Sequence, residues 1–154
     1  MHTKLRSIAR IRAALVIVPL LLFMVLAGCS NDLQTIANAE AAIPQAVTII
    51  ANTSTSLVNQ GSMSPAEGAK VAAILTDTIN ANVHAVAATK AITALNATTK
   101  PSIAAIVTPI IAEIQASITS GDVYNIKNAN AKLSITTALA ALVTTLQIIQ
   151  AKVA

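Results

Sequence analysis

Residues 135–153 place apolar side chains at Ile135, Leu139, Leu142, Leu146, Ile149 and Val153, spaced 4, 3, 4, 3 and 4. A strand brings every second residue to one face, whereas a helix brings every third or fourth. The spacing therefore predicts a helix with one continuous apolar seam. A seam that narrow is buried by facing helices. The rest of the chain then has to supply those helices.

Three further segments do so. In residues 33–57, Leu33, Ile36, Ile43, Val47, Ile50 and Leu57 keep the same 3,4 spacing, with Glu40 and Ser54 in the two remaining seam positions. In residues 103–118 the stripe is Ile103, Val107, Ile110, Ile114 and Ile118, broadened by Ile106 and Ile111. The segment between them opens on "SMSPAEGAK". Ser64 can cap, Pro65 suits the first helical position, and Glu67 lies three residues after Ser64, which makes a capping box. This helix is predicted to run to about Leu95, with a seam of Ile74, Thr78, Ala81, Ala85, Ala88, Ile92 and Leu95. Val71, Leu75, Ile79, Val83 and Val86 form a stripe beside it. No segment alternates in the manner of a half-buried strand.

The breaks are short. "NQGSMS" (59–64) centres on Gly61. "NATTKPS" (96–102) is expected to end a helix before Pro101. In "TSGD" (119–122), Asp122 can cap the last helix. Short connections make consecutive helices antiparallel neighbours, so the expected fold is all-α, an up-down four-helix bundle. Pro44 and Pro109 each remove a helical amide, so each is expected to kink its helix or mark a boundary. Glu40 is the oddest charge, and is expected where its seam reaches solvent. "IIANTSTSLVNQG" (49–61) also resembles "IIAEIQASITSG" (110–121), as a duplicated hairpin would.

Ahead of the bundle lies a different kind of sequence. Residues 1–12, MHTKLRSIARIR, carry Lys4, Arg6, Arg10 and Arg12 and no acid, and residues 13–28 carry no charge. A basic stretch followed by a short apolar run has the layout of a secretory signal. The run is 16 residues and contains Pro19, short of the roughly 20 residues a spanning helix needs. It ends in Leu26-Ala27-Gly28-Cys29, with the only cysteine of the chain in last place.

This box resembles the lipobox of bacterial lipoproteins, a resemblance confined to about the first 30 residues. It implies that Cys29 receives diacylglycerol on its sulfur and that a dedicated signal peptidase cuts between Gly28 and Cys29. Residues 1–28 would then be a removed signal peptide, and 29–154 a lipid-anchored helical domain. Ser30, not Asp, follows Cys29. By the same resemblance this favours the outer membrane, facing the periplasm, within a bacterial cell envelope.

Removing the signal changes the charge argument. The precursor carries a formal +4, but its four signal cations leave, and six lysines then face six acids. The lysines are scattered, no arginine remains, and Tyr124 is the only aromatic left. Nucleic-acid binding needs a clustered basic face and stacking rings, so it is not expected. With Cys29 consumed by lipid, no disulfide can form, and stability has to come from packing.

Chemistry is sparse in what remains. His84 is the one mature histidine, and it shares a face with Lys70, Asp77 and Asn80. Zinc takes four ligands, usually Cys or His, so the expectation is a solvated polar stripe without metal. Glycines 61, 68 and 121 stand alone, and no phosphate loop exists. The expected function is that of a non-enzymatic envelope lipoprotein. It would have no cofactor beyond its covalent lipid, and would present its helices to a protein partner or to a second copy of the chain. The alternative is a membrane-active protein whose helices permeabilise or remodel a bilayer. Residues 133–151, uncharged between Lys132 and Lys152, are long enough for that.

Overall fold

The computed structural model describes residues 31–154. It is an all-α, four-helix bundle: α1 (Asp32–Asn59), α2 (Pro65–Lys90), α3 (Lys100–Thr119) and α4 (Ala129–Val153). Each helix packs against its neighbours in the chain, and α1 closes the ring against α4, with no diagonal pair in contact. That is the up-down arrangement that short connections impose. The signal peptide, the lipobox residues Leu26, Ala27, Gly28 and Cys29, and the Gly28–Cys29 cleavage site lie outside the described residues.

The seam of α4 is buried along its whole length, from Ile135 to Val153. On α1, Ile36, Ile43, Ile50 and Leu57 point inward every seven residues; on α3, Ile103, Val107, Ile111 and Ile114 are buried at spacings of 4, 4 and 3, with Ile110 and Ile118 of the expected stripe only half-buried. The expected α2 seam holds at Ile74, Thr78 and Ala85, which are buried, and is corrected elsewhere: Ala81, Ala88, Ile92 and Leu95 are only half-buried, while Val71, Leu75, Asn82 and Thr89 are buried. Val71, Leu75, Thr78, Asn82, Ala85 and Thr89 run in a 4,3,4,3,4 pattern whose polar members conceal it. Val83, placed in an apolar stripe by the sequence reading, is 60% exposed.

Side chains define the helix starts. The capping box forms as expected: the Ser64 amide donates to Glu67 Oε2 at 2.6 Å, and the Glu67 amide donates to Ser64 Oγ at 3.2 Å. Asn31 caps α1 by accepting from the Gln34 amide. Asn128, not Asp122, caps α4, accepting from the Asn130 and Ala131 amides. Asp122 instead pairs with Lys70 Nζ at 2.7 Å. Helix α2 ends at Lys90, five residues before the expected limit. Pro101 does not follow a helix end but opens α3, where a missing amide costs nothing.

The glycines separate the two similar segments. Gly61 follows α1 with φ +69°, a left-handed turn that glycine adopts without strain. Gly121, its counterpart after α3, has no positive φ. Inside α2, Gly68 lies so close to α1 that a Cβ there would meet Val58 Cγ2 at 2.7 Å.

Neither Pro44 nor Pro109 marks a boundary, since α1 and α3 run through them. Pro109 takes the amide from the Ala105 carbonyl, on an exposed part of α3 where water can replace it. Pro44 takes the amide from the Glu40 carbonyl. Glu40 is not at a solvent edge: it is 3% exposed, and this corrects the expectation for its seam.

Candidate functional site

A proline four residues on leaves the Glu40 carbonyl without its helical partner. In a buried seam that oxygen needs another donor, because an unpaired buried polar group costs about 1–3 kcal/mol. Asn82 on α2 provides it, with Nδ2 donating to the Glu40 main-chain oxygen at 3.2 Å. The Glu40 side chain reaches the same helix. Its Oε1 accepts from Thr89 Oγ1 at 2.7 Å. Glu40, Asn82 and Thr89 are all buried and form a polar bridge between α1 and α2, in a core that also buries Ser54, Thr78, Ser117 and Thr145.

Burial holds the Glu40 carboxyl above its ordinary value of 4.5, against smaller opposing effects from the Thr89 hydrogen bond and the Lys90 charge. Asn82 Oδ1, on the other side of its amide, is buried without a donor. Asn82 also helps to line a cavity of about 10 Å³, with Ile43, Ala85, Val107, Leu146 and Ile149 among others, whose walls are apolar. A space of that size is no larger than about one water molecule. It has no room for a substrate or carried ligand, and neither His84, Asp77 nor Tyr124 lines it.

The residues singled out from sequence lie elsewhere. His84, Lys70, Asp77 and Asn80 are all exposed on α2. Tyr124 is half exposed in the connection before α4, with Lys132 Nζ 3.9 Å from its ring centroid. Among the described residues, no three His, Cys, Asp or Glu side chains gather as a metal site would require. Glu67 has a second use beyond its cap: its Oε1 accepts the Lys127 amide at 3.0 Å, tying the start of α2 to the connection before α4. The Ser64 and Lys127 amides hold its carboxyl below the ordinary value.

Sequence reasoning missed the Glu40–Asn82–Thr89 bridge. One clue was present, since Pro44 lies four residues after a seam glutamate and so creates a carbonyl in need of a donor. No family model, no curated protein and no solved structure matches the chain.

Proposed function

We propose that the chain is a non-enzymatic lipoprotein of the bacterial cell envelope, held by lipid on Cys29, that presents a folded helical bundle to a protein partner. On this reading residues 1–28 are removed, 29–154 form the mature domain, and the outer membrane is its site. The anchor rests on the Leu26-Ala27-Gly28-Cys29 box behind its basic and apolar stretches. One observation favours a presented bundle over a membrane-inserted one. Among the described residues, the exposed large apolar side chains are only Val83, Tyr124 and Leu133. An inserting protein needs a broad apolar face.

A second reading, the membrane-active one, is favoured by α3 and α4, which are long and apolar enough to cross a membrane. Both also supply core seams to the bundle, and opening it would expose Ile114, Leu139 and Leu142. Two measurements test these readings. Mass spectrometry of the protein extracted from bacterial membranes should find a mature N-terminus at a lipid-modified Cys29, and Cys29→Ser should remain an uncut precursor. Any other mature N-terminus overturns the anchor. The mature protein should leave dye-loaded vesicles intact, whereas release of the dye would replace the first reading with the second.

A further inference from the structure

We infer that the bundle stands end-on upon its anchor, with the 91–99 connection and the Asp32, Lys100 and Lys152 side chains against the bilayer surface. Given the lipid on Cys29 proposed above, the placement follows from how little chain separates that residue from rigid structure. Asn31 already caps α1, so Ser30 alone lies between the anchoring cysteine and the cap. Three residues at full extension span about 10 Å. The first turn of α1 therefore sits within about 10 Å of the headgroups.

That turn shares its end of the bundle with the close of α4 and the start of α3. Lys152 Nζ lies 2.8 Å from Asp32 Oδ1, and Lys100 Nζ lies 2.9 Å from the main-chain oxygen of Ala154. The connection from α2 to α3 crosses the same end. Its sequence, AITALNATT, has no charge. Ile92 and Leu95 turn inward onto the core, while Ala91, Ala94 and Ala97 are exposed. Small uncharged residues beside three lysines, Lys90, Lys100 and Lys152, and a single acidic side chain, Asp32, suit an interface that contains anionic headgroups.

The flanks of the bundle do not compete for the bilayer. With 28 residues in α1, the bundle is about 42 Å long, and lying flat would need an apolar strip along that length. Val83, Tyr124 and Leu133 are scattered over α2, the connection before α4, and α4 itself. The 60–64 turn and the 120–128 connection are thereby held away from the membrane.

The test uses the full lipoprotein extracted from bacterial membranes, carrying Ala97→Cys, Ser62→Cys or Thr144→Cys. Each is labelled with an environment-sensitive dye and reconstituted on vesicles of phosphatidylethanolamine and phosphatidylglycerol. The lipidated Cys29 takes no label. The dye at 97 should shift to the blue and lose most of its emission to lipids bearing a nitroxide near the headgroup. The dyes at 62 and 144 should keep theirs. Quenching at 144 would mean the bundle lies on its side, and quenching at 62 that it is inverted, and either overturns the orientation. Vesicle-bound protein with no quenching anywhere also overturns it while leaving the anchor intact. Failure to float with vesicles, together with labelling of Cys29, would overturn the anchor and the orientation with it.

Discussion

Asn82 Nδ2 donates across 3.2 Å to the Glu40 main-chain oxygen, the oxygen that Pro44 deprives of an amide. One helix thus repairs a defect in another, from 42 positions away in the chain.

The first prediction follows from that repair. Asn82→Ala removes the donor and should cost about 1–3 kcal/mol, since the Glu40 carbonyl stays buried. Pro44→Ala restores an amide to the same oxygen. In the Pro44→Ala background, Asn82→Ala should therefore cost much less. Urea unfolding of the four variants, as a double-mutant cycle, should give a coupling of about 0.5–3 kcal/mol. Strictly additive losses would contradict the repair.

Glu40 and Glu67 should shape the pH dependence in opposite directions. Burial raises the Glu40 carboxyl in the folded state, so the folded chain keeps that proton to a higher pH than the unfolded chain. Its contribution is full below the ordinary value of 4.5 and is lost as pH rises through the raised one. Glu67 is lowered, so its contribution is present above 4.5 and is lost as pH falls. Glu40→Gln, which keeps an acceptor for Thr89, should flatten the decline on the alkaline side. Chemical denaturation from about pH 4 to about pH 8 measures it. An unchanged slope would show that Glu40 ionises without penalty.

Core and surface should separate cleanly on α4. Leu142 is fully buried, whereas Leu133 is 63% exposed. Leu142→Ala should cost about 2–5 kcal/mol, and Leu133→Ala within about 0.5 kcal/mol. Circular dichroism of residues 30–154 during urea unfolding reads both. A largely unordered spectrum before urea is added would contradict a self-sufficient bundle.

His84 should be dispensable. It is exposed on α2 beside Asp77 and Asn80. His84→Ala should change stability by no more than about 0.5 kcal/mol. Elemental analysis of the folded domain should find no stoichiometric zinc. Zinc that disappears in His84→Ala would revive a metal-dependent reading.

The seam of α4 was fully legible in sequence, because Ile135 to Val153 repeat without a polar interruption and every member is buried, whereas its cap, Asn128 in place of Asp122, was not. The seam of α2 was legible only in part, at Ile74, Thr78 and Ala85. Asn82 and Thr89 are buried polar positions, and a reading keyed to apolar side chains passes over them. Glu40 was misread for the same reason: its partners come from tertiary packing, and local spacing says nothing of which residue will face it. Neither proline is a helix boundary, because helix-breaking rules count bonds within one helix: at Pro44, Asn82 supplies the missing bond from another helix, and at Pro109 the freed carbonyl lies on an exposed part of α3.

The bridge also binds three positions into one heritable unit. Replacing Pro44 with an ordinary helix former returns an amide to the Glu40 carbonyl, whose oxygen can accept from it and from Asn82 together, so Asn82 is then no longer that oxygen's sole donor. Replacing Asn82 first strands the carbonyl instead. In chains descended from this one, Asn82 should be kept wherever Pro44 is kept and be free to change only after Pro44 has gone, and Thr89 should follow the fate of the Glu40 carboxyl it binds.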